Sequence, residues 1–343
     1  MAASTYKCPS CGGYLAFDPD TQKWKCPFCD SIFDEQSVLA KDAPPKQTAE
    51  ADQRQVVYRC QNCGSEIMTD ETTVATQCYY CHSPVVLEGK LNSSMRPDSV
   101  LPFAVDREKA IAAFMKWVKS KRFVPKSFFR EAQIESMTGV YYPHFVTDCE
   151  VQGTVEGEGR NMSVSSTPSY VITKTDHYHV RREADLSFRS ILRPALTKTN
   201  RKLSDAIHPY PLDSEKPFSN AYLTGFVAER RDVEAESIRL DIEQEVSGYV
   251  QPLLSDTVSY ESRSLSSSCR VKSLKTRYVL LPTWVLTYPN RQNPNDPYYY
   301  AMNGRTGEIC GKLPVDRKKL FLTALGAGAA VFVIGCILCY FVF

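Results

Sequence analysis

Apolar positions in this chain follow three patterns, and each predicts a different kind of element. From Leu320 to Phe343, 24 consecutive residues carry no charge. At 1.5 Å per residue this makes a helix of roughly 36 Å, longer than the ~30 Å hydrocarbon core of a bilayer. A soluble core helix of that length would normally keep a polar face, so residues 320–343 are predicted to be a single transmembrane helix. Helical period reappears in Ala110, Ile111, Phe114, Trp117 and Val118, with Asp106 placed as N-cap. Pro125 can open another helix through about Met137, with Phe128, Phe129 and Ile134 inward. A further helix is predicted over Asp232 to Val250, carrying Val233, Ile238, Leu240 or Ile242, and Val246.

Between the helical stretches the pattern turns to strands. Val140 to Val155 is aromatic and β-branched with partial alternation, and its phrase Tyr141-Tyr142-Pro143-His144-Phe145-Val146 is echoed by Leu280-Leu281-Pro282-Thr283-Trp284-Val285. The echo reads as a duplicated strand unit. A proline in each copy predicts sheet edges or strand starts. Tyr298 to Met302, then Asn303-Gly304-Arg305-Thr306-Gly307, then Glu308 to Gly311 reads as a hairpin with a Gly-rich turn. The predicted fold class is α+β: two small β-rich zinc ribbons (1–39 and 56–88) joined by a polar, Pro-bearing linker (40–55), an α+β domain (89–315) and the terminal membrane helix (320–343).

The ribbons are predicted from cysteine spacing. Of 13 cysteines, eight form two sets: Cys8, Cys11, Cys26, Cys29 and Cys60, Cys63, Cys78, Cys81. Both read CxxC, fourteen residues, CxxC, and the second follows the first by 52 positions. Two thiolates on one tight turn chelate one ion, and a second such turn completes a tetrahedral S4 shell, which suits structural Zn²⁺, here two ions. Gly12 and Gly64 follow the second Cys of their turns, where a positive φ lets backbone N–H groups face sulfur. Tyr14, Phe17, Trp24 and Phe33 can supply a small core for the first copy, and Ile67, Val74, Tyr79 and Val85 for the second. A catalytic zinc would keep a position open and usually recruit His or a carboxylate. His82, next to Cys81, is the one histidine placed to replace a ligand.

Charge adds a constraint. The chain is nearly neutral at +2, but residues 1–95 hold 8 Lys+Arg against 12 Asp+Glu, and residues 96–315 hold 30 against 26. An acidic cysteine-rich end counts against a grip on nucleic-acid phosphates. The N-terminus is polar and runs directly into the first Cys pair, so it is predicted to remain in the reducing cytosol. Arg317, Lys318 and Lys319 precede the terminal helix, and the positive-inside rule then also places residues 1–319 in the cytosol.

Candidate chemistry elsewhere is sparse. His144 lies in an aromatic strand and reads as a core histidine, while His177 and His179 alternate on one strand face and are candidate metal ligands. No phosphate loop, nucleophile elbow or kinase-type set occurs, and a non-enzymatic role is predicted.

Lys7-Cys8-Pro-Ser-Cys11-Gly-Gly, Lys25-Cys26-Pro-Phe-Cys29, the phrase Gly139-Val-Tyr-Tyr-Pro-His-Phe, and Tyr300-Ala-Met-Asn-Gly-Arg-Thr-Gly307 with Gly311-Lys-Leu-Pro314 together resemble a bacterial family of zinc-ribbon, C-terminally membrane-anchored proteins of the YdjG-like type. Its members are often labelled primosomal helicase-like or TFIIB-type zinc ribbon. No ATP-binding loop here supports a helicase label. The resemblance implies partners of the PspA-like and SPFH/flotillin-like kinds, other small membrane proteins, and a membrane-stress scaffold. The expected role is a cell-membrane adaptor that recruits protein partners to the cytosolic face. The alternative is a membrane-tethered zinc-ribbon protein that binds nucleic acid.

Overall fold

The computed structural model describes residues 2–39, 55–62, 65–78, 83–87, 91, 95–125, 137–199, 204–288 and 298–342. The architecture is mixed α and β, rich in strands, with few helices. The first ribbon holds β2 (Ala16–Asp18), β3 (Lys23–Lys25) and β4 (Ile32–Phe33) as a three-stranded antiparallel sheet, followed by α1 (Glu35–Leu39). The strand before it, β1 (Ala2–Ser4), lies elsewhere. It inserts between β5 (Gln55–Cys60) and β8 (Pro84–Leu87), joining the β5–β6 (Glu66–Asp70) and β7 (Thr73–Gln77)–β8 hairpins of the second ribbon. The segment before ribbon one therefore belongs to the sheet of ribbon two. Linker residues 40–54 and the helix expected over 126–136 lie outside the described residues.

The body is built around two very long antiparallel strands, β10 (Thr138–Ser166) and β14 (Ser262–Tyr288). Shorter elements flank them: β9 (Ser99–Val100), α2 (Arg107–Lys119), β11 (Val171–Pro194), β12 (Lys216–Pro217), β13 (Val227–Glu229), α3 (Arg239–Ser255), β15 (Tyr298–Asn303) and β16 (Ile309–Lys312). α2 forms as its pattern predicts. The Asp106 carboxylate accepts a hydrogen bond from Lys109 N–H at 2.6 Å, and Ala110, Phe114 and Val118 are buried. α3 runs later than expected, through Ser255, and buries Ile242, Val246, Val250 and Leu254 while Leu240 faces solvent. The predicted terminal hairpin forms as β15 and β16, with Gly307 at φ 80° in its turn. Asn303 holds that turn. Its side-chain oxygen accepts from the N–H groups of Arg305 and Thr306, and its amide donates to the carbonyls of Ile207 and Pro209.

The echoed phrases prove to be direct neighbours, since Tyr141 pairs with Pro282 and Pro143 with Leu280. Their surroundings are equivalent. β13 runs parallel to Val140 and Tyr141, and β9 runs parallel to Val279 and Leu280. On the same side, β11 begins to pair one residue past Pro143, at His144, and β15 one residue past Pro282, at Thr283. Ala195 N–H donates to Pro143 O, and Gly304 N–H to Pro282 O, both at 2.9 Å. Each half thus runs short strand, helix, long strand, returning strand. This corrects the expectation that the prolines mark sheet edges. Both sit inside central strands, at the one register where the flanking partner changes, so the missing N–H leaves no ladder acceptor unmet there.

Beyond the body, β11, β10 and β14 continue as a three-stranded arm. At about 3.3 Å per residue, β10 alone spans roughly 95 Å. α3 covers one face of the proximal arm. It approaches so closely at Gly153 that a Cβ there would lie 2.7 Å from Val250. The distal arm is exposed on both faces, and its tip carries Met162, Val164, Val171 and Ile172 in the open.

α4 (Arg317–Val342) leaves from the other end of the body, because β16 pairs Lys312 with Tyr299, the partner of Thr287 near the end of β14. Its described side chains from Leu320 to Cys336 are exposed, and it is the one helix among the described residues long and apolar enough to cross a membrane.

Candidate metal centre

One backbone hydrogen bond recurs at all four leading cysteines. The N–H of Cys8 donates to Gly13 O at 2.6 Å, Cys26 to Ser31 O at 3.0 Å, Cys60 to Ser65 O at 2.8 Å, and Cys78 to Ser83 O at 2.9 Å. In the first ribbon the turns also bond Gly12 N–H to Cys8 O and Asp30 N–H to Cys26 O. Both closing residues have positive φ, 77° at Gly12 and 55° at Asp30. The glycine was legible in the sequence. Asp30 performs the same turn because a short polar side chain tolerates the left-handed region, and its carboxylate meets Lys25 Nζ at 2.9 Å.

The Sγ atoms of Cys8, Cys11, Cys26 and Cys29 all lie within 4.8 Å of one another, with Cys8–Cys29 at 3.7 Å and Cys11–Cys26 at 3.5 Å. A tetrahedral ion with 2.3 Å metal–sulfur bonds needs sulfurs about 3.8 Å apart, and these two separations lie close enough to that spacing for the cluster to hold a metal ion. The leading cysteines, Cys8 and Cys26, are buried; the trailing Cys11 and Cys29 are exposed. Proton affinities within the set diverge. Hydrogen bonds, first from the Ser31 hydroxyl and then its N–H, pull Cys29 down to about 6. At Cys11 the Gly13 N–H works downward, but the sulfurs of Cys29 and Cys26 outweigh it and push the thiol up to about 12. Four adjacent thiols do not ionise together unless a cation compensates them.

In the second set, Cys60 and Cys78 are both buried, in one cluster with Tyr58, Ile67, Val85 and Leu87. Cys63, Gly64, Tyr79, Cys81 and His82 lie outside the described residues. Burial of the leading cysteine therefore recurs in both ribbons.

Ribbon one does not stand alone. Trp24, fully buried, donates its indole N–H to Ala221 O at 2.9 Å and packs 5.2 Å from the Tyr222 ring. Phe17 N–H donates to Thr224 O, and Tyr222 O–H to Glu35. Phe17 and Trp24 were foreseen as core residues. That their core continues into residues 221–224 was not, because nothing local in the sequence joins positions 197 apart.

The histidines take different places. His144 is buried; its Nδ1 lies 3.2 Å from Tyr142 O and its Nε2 2.8 Å from Ser204 Oγ. With Nδ1–H donating to the carbonyl, Nε2 accepts from the serine, which fixes a neutral ring. Burial pushes its pKa down to about 4, below the ordinary 6.5. Between those values the unfolded chain binds the extra proton and the folded chain does not. Stability is therefore complete above about pH 6.5 and falls as pH drops toward 4, by up to about 3 kcal/mol. Denaturant midpoints at pH 7 and pH 5 should show this fall, and His144→Gln should make it smaller; a fall of the same size in the variant would refute the assignment. His177 and His179 are exposed on β11, with His179 3.3 Å from Glu156. Among the described residues neither joins a metal-holding cluster.

A four-sulfur cluster on a small β-rich module, an α and β body, and one apolar terminal helix define a class: a protein able to hold a metal ion, with a candidate membrane span. Across 333 residues the chain is 30% identical to YdjG, an uncharacterized protein of Bacillus subtilis (strain 168), covering 96% of this chain and 95% of YdjG. The chain belongs to the same family as YdjG. No protein-family model matches it, and no solved structure matches it.

Proposed function

We propose that this protein is a single-pass membrane adaptor. Two zinc ribbons and a projecting arm on the cytosolic side recruit protein partners to the membrane in a stress-response scaffold. The observation that carries the reading is the four-cysteine cluster: four thiolates fill a tetrahedral shell and leave no open position for catalysis. The recurring Cys60 N–H and Cys78 N–H hydrogen bonds and the burial of both cysteines support a second structural ion. α4, whose first turn holds Arg317, Lys318 and Lys319, supports anchoring with residues 1–319 cytosolic. The partners the family resemblance implies are PspA-like and SPFH/flotillin-like proteins and other small membrane proteins.

The arm supplies a docking surface. Its apolar tip is held far from α4, and the outer edge of β11 offers open backbone groups of the kind that add a partner strand. Affinity capture of the full chain from detergent-solubilised membranes should recover a specific set of membrane proteins. Replacing Met162, Val164, Val171 and Ile172 together by serine should reduce that recovery at least tenfold, while the unfolding midpoint moves little because these side chains are already in water. Unchanged recovery from the serine variant would remove the arm from the reading. Recovery of nucleic acid in place of protein, lost steeply with added salt, would replace the reading altogether.

A further inference from the structure

We propose that the end of α2 and the start of α4 form one cationic collar that binds the anionic lipid headgroups around the anchor. The inference rests on the membrane reading of α4. Folding brings the two segments together although they are nearly 200 residues apart. Asp316 N–H donates to Phe123 O at 2.6 Å, and Lys319 Nζ donates to Val124 O at 3.3 Å. β16 closes the corner, for a Cβ at Gly311 would lie 2.9 Å from the Trp117 ring. Lys119, Lys121 and Arg122 thereby stand beside the first turn of the membrane helix, next to Arg317 and Lys318, and all five are exposed.

The sign of the charge is what sets this place apart. Residues 116–124 and 310–319 contain one acid, Asp316, and it lies 3.8 Å from Lys319. Lys119, Lys121, Arg122, Arg317 and Lys318 have no carboxylate partner among the described residues. Several exposed cations elsewhere are paired: Lys109 with Asp20, Arg239 with Glu243, Lys272 with Asp185. Lys121 rests over the Trp117 ring, 5.5 Å from its centroid, and an indole beside a cation is the pairing found at membrane interfaces. The headgroup layer adds only about 5–8 Å on each side of the hydrocarbon core. A surface hydrogen-bonded to the helix's first turn therefore lies at headgroup depth, well within a screening length of about 10 Å. Flanking basic residues are common at any anchor; here a separate helix delivers three more to the same depth, which only the tertiary structure provides.

The full chain is reconstituted in bilayers of phosphatidylcholine containing either spin-labelled phosphatidylglycerol or spin-labelled phosphatidylcholine, and the motionally restricted fraction of each label is measured. The wild type should prefer phosphatidylglycerol several-fold. The variant Lys119→Glu/Lys121→Glu/Arg122→Glu should lose most of that several-fold preference, because the attraction of anionic headgroups acts on each cation near the surface. A circular-dichroism melt of the same reconstituted samples checks that the variant keeps its fold. If it does not, Lys119→Gln/Lys121→Gln/Arg122→Gln serves in its place, with partial loss expected. Retention of the full preference by a folded variant overturns the collar while leaving the anchor intact. Release of the wild-type chain from membranes by alkaline carbonate overturns both. Binding of duplex DNA by this surface at physiological salt, removed by the same substitutions, overturns the lipid assignment.

Discussion

If the proposed two-zinc reading holds, Cys26→Ser should unfold the first ribbon and lower the bound zinc from two equivalents to one. Cys26 is fully buried and 3.5 Å from Cys11, so a hydroxyl there loses a thiolate ligand and leaves a polar group inside the core. Structural zinc supplies on the order of 10 kcal/mol or more to such a module, more than the whole stability of many domains. The consequence should spread beyond the ribbon, because Trp24 and Phe17 pack on Tyr222. Exposure of Trp24 should shift tryptophan emission to the red, and residues 220–226 should lose hydrogen-exchange protection. Metal analysis of wild type and variant tests the stoichiometry. Two zinc ions retained by the variant would contradict the assignment of Cys26 as a ligand. The same logic gives a pH dependence: protons compete with the ion for sulfur, so zinc should be lost as pH falls, with affinity decreasing steadily below neutrality.

A chain ending at Asp316 should move from the membrane pellet to the soluble fraction. α4 holds twelve Leu, Ile, Phe and Val residues between 320 and 342, worth roughly −5 kcal/mol of insertion free energy, and its described side chains from 320 to 336 find no cover in the protein. The full chain should resist alkaline carbonate, whereas the truncated one should be released without detergent. Because the hydrogen bonds from α4 to the body lie, among the described residues, at its first turn, truncation should leave the unfolding midpoint nearly unchanged. A full chain that leaves the membrane in carbonate would refute the anchor.

Local periodicity was a good guide where an element answers to its neighbours in sequence. α2, with its Asp106 cap, and the hairpin around Asn303 formed as their patterns predict. It failed where an element answers to distant partners. β10 was expected to end near Val155, since alternation fades there, yet it continues to Ser166. Both faces of the distal arm meet water, so no hydrophobic rhythm marks it, and ladder bonds to β11 and, as far as Arg160, to β14 carry the strand onward. Proline predicted edges because a central strand usually requires every N–H; Pro143 and Pro282 escape that rule only because their flanking partner changes at that register.

Cysteine spacing, the uncharged terminal run and the amphipathic pattern of α2 were enough to point to a four-cysteine cluster able to hold a metal ion, the candidate span and the mixed fold class, because each depends on residues close to one another in the chain. The three-dimensional chain alone settled three other matters: that β1 joins the sheet of the second ribbon, that Trp24 closes against residues 221 and 222, and that the segment after α2 meets the first turn of α4. Those outcomes arise from contacts between segments far apart in the chain, and such contacts impose no period on the residues that make them.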